Sequence, residues 1–167
     1  MIEYIRGIID ELTPTQAVLE ANGVGYALSI SLNTYTAIQG KNEARLYVYE
    51  AIREDAYQLY GFATRQEREL FTLLIGVSGI GGQTARMILS AFTPADLANI
   101  VQASDERALK SVKGIGPKAA QRIIIDLKDK MMNFLGASEG AVTQEGEAPI
   151  SNLAVVEEAV QALAVLG

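Results

Sequence analysis

Two short glycine turns are the part of the sequence best suited to bind a ligand. The segment VKGIGPKAAQRI, residues 112–123, places a Gly-x-Gly turn at the start of a helix, and VSGIGGQTARMI, residues 77–88, repeats it upstream. The first glycine suits a positive φ, and the second lets a ligand approach the backbone closely. The free N–H groups that begin the following helix then face an anion. The pattern predicts phosphate binding by the backbone.

Cationic side chains are better placed at the second turn than at the first. Lys118 and Arg122 are four residues apart and share a helix face beside the second turn. The first turn has Gly-Gln where the second has Pro-Lys, and Arg86 is its candidate cation. We therefore expect the second turn to bind phosphate more strongly. The candidate DNA-binding residues are Gly79, Ile80, Gly81, Gly82, Gln83, Thr84 and Arg86 in the first copy, and Gly114, Ile115, Gly116, Lys118, Ala119 and Arg122 in the second.

The turns have two other interpretations. In a plain helical hairpin the glycines would serve only packing and the cations would be solvated, but two copies at matching positions favour binding. A nucleotide-binding loop would need Lys-Ser/Thr after GVSGIG, residues 76–81, and the chain has Gly-Gln there. The residues before this segment also have a helical rather than a strand pattern, so we exclude an ATP-binding loop.

Composition removes several classes of chemistry and locates the charge. The chain has no cysteine and no histidine, which excludes disulfides, thiol catalysis and the commonest metal ligands. We predict no catalytic residue, no metal and no cofactor. The net charge of −6 is uneven: residues 1–64 carry −4, residues 65–135 carry +3 and residues 136–167 carry −5. The only basic segment is the one that holds both turns, as expected of a nucleic-acid contact.

The pattern of apolar residues divides the chain into a β part and a helical part. Runs of β-branched and aromatic residues up to about residue 62 predict five or so strands, with a short helix near residues 34–38 and a bulge or bend at Gly23-Val24-Gly25. They fit a small closed barrel such as the OB-fold, and a two-sheet sandwich is the alternative. From Thr64 the period becomes helical, which predicts four or five short helices, the last ending near Gly136.

The end of the chain differs from the rest in composition. Residues 136–150 are small, polar and acidic, which predicts a flexible linker, and residues 151–167 form one amphipathic helix. A single helix cannot bury its own apolar face, so we expect this last segment to be an incomplete domain. No signal sequence or membrane span is evident, and a cytoplasmic location with no membrane contact is expected.

The layout as a whole resembles one family. The doubled pattern resembles tandem helix-hairpin-helix motifs, and five segments are similar to the RuvA family of Holliday-junction-binding subunits. These segments are MIEYIRGIIDEL at the start, GVGY at 23–26, REDAYQLYGF at 53–62, ELFTLLIGVSGIG at 69–81 and GIGPKAAQRIIIDLKDKM at 114–131. The resemblance covers residues 1 to about 135 almost continuously, and the C-terminal helix fits as well.

The resemblance implies a complete domain plan. Residues 1–63 would be an OB-fold barrel that assembles a homotetramer or octamer, and residues 64–135 a tandem helix-hairpin-helix domain holding the arms of four-way junction DNA. Residues 136–150 would be the linker, and residues 151–167 part of a domain that contacts the RuvB ATPase, with the RuvC resolvase as a further partner. Composition alone favours a solvated turn for Glu54 and Asp55, whereas the resemblance implies an acidic pin that repels phosphates at the crossover.

Two other DNA-binding classes stay open at this point. A glycosylase-like repair enzyme would use Lys113 or Lys118 with Asp126 or Asp129, although these acids fit a solvated helix face better. A single-strand binder would stack bases on tyrosines of the barrel, Tyr47, Tyr49 or Tyr57, although this third of the chain is acidic.

Overall fold

The N-terminal part of the protein is a closed barrel of five strands. The computed structural model describes residues 1–145, with side chains to residue 135. Around the barrel the strands lie in the order first, second, third, fifth, fourth, and the third and fifth strands are parallel while the other pairs are antiparallel. The predicted closed barrel is confirmed, and the sandwich alternative is excluded. The strands are β1 Tyr4–Leu12, β2 Gln16–Ala21, β3 Val24–Ile30, β4 Glu43–Ile52 and β5 Tyr57–Phe62.

The predicted irregularity at Gly23-Val24-Gly25 is a different feature from the one expected. It is a hairpin turn between β2 and β3, formed by Asn22 and Gly23 with φ of 52° and 81°. An Asn-Gly pair adopts positive φ easily, and this gives the turn a twist that matches the two strands. The register irregularity of the barrel lies instead in β1, between Ile9 and Glu11.

A short helix lies between the third and fourth strands, and five helices follow the barrel within residues 1–145. Helix α1 (Leu32–Ile38) confirms the helix predicted near residues 34–38. The later helices are α2 (Arg65–Ile75), α3 (Gly82–Ala91), α4 (Pro94–Gln102), α5 (Glu106–Lys110) and α6 (Pro117–Glu145). Local sequence explains their starts: Thr64 caps α2, Asp105 caps α5, and Thr93 forms a capping box with Asp96 before Pro94 in α4.

The last described helix, α6, is longer than predicted. Helix α6 continues to Glu145 rather than ending near Gly136, so the first residues of the expected linker are helical. The alanines and glutamates of this stretch are strong helix formers, which offsets two interior glycines. The remaining linker residues and the predicted helix at 151–167 lie outside the described residues, and the predicted domain boundaries stay predictions. Within residues 1–145, no helix combines the length and apolar character that a membrane span needs.

Aromatic packing and hydrogen bonds join the barrel to the helices, and residues Met1–Met131 form one compact unit. Phe71 of α2 is fully buried, with its ring centroid 4.8 Å from that of Tyr60 and 4.9 Å from that of Phe62. The side chain of Asn33 in α1 donates to the carbonyls of Leu89 and Phe92, at the end of α3. The first glycine turn lies between α2 and α3, and it is therefore held against the barrel through both of these helices.

A buried carboxylate completes this connection. Glu67 of α2 is 3% exposed and accepts hydrogen bonds from the hydroxyls of Ser31 and Thr34, while Thr34 Oγ1 accepts one from the N–H of Ala63. Desolvation raises the pKa of Glu67, and the two hydroxyl hydrogen bonds oppose that rise. One side chain thus ties α1, the end of the barrel and α2 together.

Replacing Glu67 with alanine should lower the free energy of unfolding by about 2–4 kcal/mol, because two buried hydroxyls would lose their acceptor. Urea unfolding followed by circular dichroism measures this, and Glu69→Ala, an exposed position on the same helix, is the control. A loss no larger than that of the control would contradict the role of Glu67.

The raised pKa also predicts a pH dependence. Between the ordinary carboxyl value of 4.5 and the raised pKa, the folded state binds more protons than the unfolded state. The contribution of Glu67 is therefore full below pH 4.5 and is lost as the pH rises through the raised pKa. Subtracting the pH profile of Glu67→Gln from that of the unchanged protein should reveal this fall.

Candidate nucleic-acid interface

The two glycine turns have the same backbone geometry. Gly79 and Gly114 have φ of +88° and +92°, values that favour glycine strongly. In each turn the isoleucine N–H bonds to the valine carbonyl: Ile80 to Val77 at 3.1 Å and Ile115 to Val112 at 3.2 Å. The repeat in the sequence is thus a repeat of structure.

Buried apolar side chains anchor both turns to the helical core. Ile80 and Ile115 are 5% and 6% exposed, and the valines that accept their N–H bonds are also buried. The turns cannot shift without exposing these side chains. Their outward backbone groups are therefore held in place before any ligand arrives, which reduces the entropy lost on binding.

Each turn leads into a helix whose first N–H groups have no partner within the helix. The first hydrogen bond within α3 runs from the N–H of Ala85 to the carbonyl of Gly81, and no side chain caps this helix. The N–H groups of residues 81–84 therefore remain for a ligand. In α6 the equivalent bond runs from Ala120 to Gly116, and Pro117 contributes no N–H. The first copy thus offers the larger number of backbone donors.

The space in front of the turns is open. A Cβ placed on Gly81 or on Gly116 would meet no atom within 4 Å, and neither residue has a positive φ. Nothing in the fold therefore requires glycine at these two positions. A requirement would have to come from a ligand that approaches the backbone.

Gly82 is different, because the barrel lies directly behind it. A Cβ there would come within 2.7 Å of Cζ of Tyr60, a buried residue of β5. The sequence interpretation treated this glycine only as part of the phosphate site. Its structural reason is close packing of the helix start on the tyrosine ring.

The cations differ in their surroundings. Lys118 and Arg122 are exposed at the start of α6, and neither forms an ion pair within residues 1–135. Arg86 is half-buried: its Nε donates to Oε1 of Gln83 at 3.1 Å and its Nη1 to the carbonyl of Ile30 at 3.2 Å. The second turn thus has solvated cations beside it, and the first has one directed toward the barrel.

The acidic pair stands at the tip of a tight hairpin. The loop between β4 and β5 is Arg53–Ala56, closed by the N–H of Arg53 donating to the carbonyl of Ala56 at 2.7 Å. Glu54 and Asp55 are exposed, and neither forms an ion pair in the part of the chain whose side chains are described. Two unneutralised carboxylates therefore project from the barrel.

Comparison with known proteins decides the family. Residues 1–61 match the model described as RuvA N terminal domain, and residues 71–129 match the SAM-like Helix-hairpin-helix tandem. The whole chain is 58% identical to a protein of Bacteroides fragilis, 59% to one of Bacteroides thetaiotaomicron and 49% to one of Porphyromonas gingivalis. Each match covers 84% of the relative, and each relative is named Holliday junction branch migration complex subunit RuvA. The chain belongs to the RuvA family.

Membership of the RuvA family agrees with how the structure places the residues of the rival classes. Tyr47 lies 6.4 Å from Tyr4 with Arg65 and Arg68 over its ring, and Tyr49 packs on Phe71. These rings are already engaged and are poor platforms for bases.

The third tyrosine keeps an exposed ring, and only its hydroxyl is held by a neighbouring side chain. The hydroxyl of Tyr57 donates to Glu50, which raises the pKa of Tyr57 and lowers that of Glu50. Asp126 and Asp129 are exposed on α6, as expected of a solvated helix face. The tandem turns remain the best-formed interface.

The residues that support this RuvA-type interface were not evident from the sequence. Tyr60 supports the start of α3, Asn33 holds the end of that helix, and Glu67 joins the barrel to α2. Of these three residues, only Glu67 stands out in the sequence, because it is a charged residue beside the apolar positions of α2. Its hydroxyl partners lie more than thirty positions away, and no local pattern predicts such pairing.

Proposed function

We propose that this chain binds four-way DNA junctions without reading their base sequence, as a subunit of a Holliday junction branch migration complex. The observation that carries the proposal is the duplicated turn: two identical hydrogen-bond patterns, each opening onto uncapped helix N–H groups. Two such sites on one compact unit suit the repeated phosphates of a DNA backbone. The names of the relatives support the choice of a junction as the ligand.

The donors explain why binding would not depend on sequence. Backbone N–H groups and the exposed cations Lys118 and Arg122 recognise phosphate oxygens, which are the same at every base pair. Such contacts release counterions, so the affinity should fall steeply with salt. Selectivity for the four-way form would then have to come from shape and from the acidic loop.

Glu54 and Asp55 are proposed to supply that selectivity. Carboxylates at a loop tip repel phosphates, so a duplex running across them is disfavoured, while an open junction can place its crossover around them. We propose that a homotetramer, or two stacked as an octamer, gathers these loops at the junction centre. The RuvB ATPase, which would contact the C-terminal region, would supply the motor activity, with RuvC as a further partner in the cytoplasm.

A competition experiment tests this proposal. The purified protein is mixed with a labelled synthetic four-way junction, and unlabelled junction, duplex or single strand of equal length is added before native gel electrophoresis. We expect only the junction to compete efficiently, with no ATP hydrolysis and no strand cleavage. Equal competition by duplex would contradict junction selectivity, and reproducible nicking would favour the repair-enzyme class.

A further inference from the structure

A polar surface cavity, wide open to solvent, lies between the barrel and α3, next to the first turn. Its volume is about 350 Å³, and its lining comes from four barrel-side residues and two of α3. These residues are Thr13, Thr15, Gln16, Ser29, Gln83 and Arg86. All six side chains are polar, none is a carboxylate, and one is a cation.

The arginine of this cavity has a charge that nothing nearby neutralises. Its two hydrogen bonds go to neutral acceptors, the amide of Gln83 and the carbonyl of Ile30. Among the residues with described side chains, no carboxylate forms an ion pair with it. These bonds hold the guanidinium in place and leave Nη2 without a protein acceptor there. An oriented guanidinium with a spare edge is suited to a phosphate oxygen.

The other lining groups are mainly suited to donate hydrogen bonds to a ligand. Because Oε1 of Gln83 accepts from Arg86, the amide nitrogen of Gln83 is the group left for a ligand. Ser29 Oγ already accepts from Gln58, so its hydroxyl hydrogen remains. The Gln16 side chain has no hydrogen-bond partner within the described residues, since its bonds to Thr13 use only its backbone. Hydrogen-bond donors grouped around one cation are suited to the negatively charged oxygens of a phosphodiester.

The cavity is continuous with the first turn, because Gln83 belongs to both. Its N–H is one of the unpaired donors at the start of α3, and its side chain lines the cavity. We propose that the cavity binds a second phosphodiester of the DNA strand whose neighbouring phosphate contacts the first turn. The barrel would then contact DNA directly. This inference rests on the proposed function, since it takes DNA as the ligand.

The proposal also accounts for the missing lysine of the first copy. The second copy has Lys118 in the first turn of its helix, where the first copy has Gln83. Arg86 follows one turn later and is directed toward the barrel by its bond to Ile30. In the first copy the cationic side chain would thus contact the neighbouring phosphate of the DNA strand, and barrel residues would complete that contact.

A crosslinking experiment tests the cavity directly. The chain has no cysteine, so Gln16→Cys gives a unique attachment point for an azidophenacyl photocrosslinker. Gln39→Cys, exposed at the end of α1 and outside the cavity, is the matched control. Irradiation with a labelled four-way junction should crosslink DNA at position 16 at least several-fold more than at position 39. Equal or absent DNA crosslinking, or crosslinking to a second copy of the chain, would overturn the proposal.

An affinity series separates this proposal from the proposed function. Gln16→Glu places a carboxylate beside Arg86, whereas Gln39→Glu makes the same charge change elsewhere. The first should weaken junction binding several-fold and lower the salt slope of log K by about 0.9, the value for one phosphate contact, and the second should not. Arg86→Gln should act like Gln16→Glu, although it also removes a bond between barrel and helix.

Lys118→Gln reports on the second turn independently and should lower the slope by a similar amount. If Lys118→Gln weakens binding but Gln16→Glu does not, the cavity proposal fails while the proposed function stands. If the unchanged protein shows no preference for the junction, the proposed function fails first.

Discussion

Replacing both Gly81 and Gly116 with alanine is expected to weaken four-way-junction binding at least about tenfold, equivalent to about 1.4 kcal/mol, without unfolding the protein. The fold has open space at both positions, and neither backbone has a positive φ. Under the proposed function, each methyl would instead stand where a phosphate approaches the backbone. Folding stability should change by no more than about 1 kcal/mol, because the smaller unfolded-state entropy offsets a poorer helix cap.

Gel-shift titration and thermal unfolding of the same preparations measure the two quantities. Gly25→Ala is the control, since its Cβ would make only an ordinary contact, at 3.7 Å, with Val18. Unchanged junction affinity in the double variant would show that no phosphate approaches the backbone closely at these two glycines. Gly79→Ala would be a poor substitute, because φ of +88° strains any side chain and would mix folding with binding.

Replacing Glu54 with glutamine and Asp55 with asparagine should raise the affinity for linear duplex severalfold more than the affinity for the junction. The amides keep the size of the side chains and remove the charge that repels phosphates. The ratio of the two dissociation constants at fixed salt is the quantity to compare. An unchanged ratio would contradict the proposed role of the loop.

Asp10→Asn with Glu11→Gln removes the same charge from exposed positions on β1. This control should raise both affinities by a similar factor, because it changes the overall charge without placing the change at the loop. A control that alters the ratio as strongly would make the effect one of net charge.

Local sequence predicted the features that depend on local physics. The closed barrel and the short helix follow from the pattern of apolar residues, and both are present. The hairpin at Asn22-Gly23 follows from the turn preference of an Asn-Gly pair, whereas the pattern Gly23-Val24-Gly25 had predicted a bulge or bend. The extent of α6 was harder, because small and acidic residues suit both a linker and a helix.

The connections between barrel and helices could not be predicted, since they join residues distant in sequence. Gly82 illustrates this. The sequence pattern explained the glycine there by a bound phosphate, whereas close packing on the ring of Tyr60 is an independent reason for it. Arg86 is similar, because only the fold reveals that its guanidinium contacts Ile30 of the barrel. The phosphate-binding roles of the turns stay predictions until binding is measured.

Strand β5 connects the acidic loop to the part of the barrel beneath the first turn. It begins directly after the acidic loop and carries Tyr60, whose ring packs against the start of α3. At a rise of about 3.3–3.4 Å per residue, Asp55 and Tyr60 are separated by no more than about 17 Å. That is about half of the roughly 34 Å turn of a duplex. Under the proposed function, a straight duplex held at the first turn and running along β5 would therefore reach the carboxylates within about half a turn, whereas a strand that leaves its helix at a crossover could turn away first.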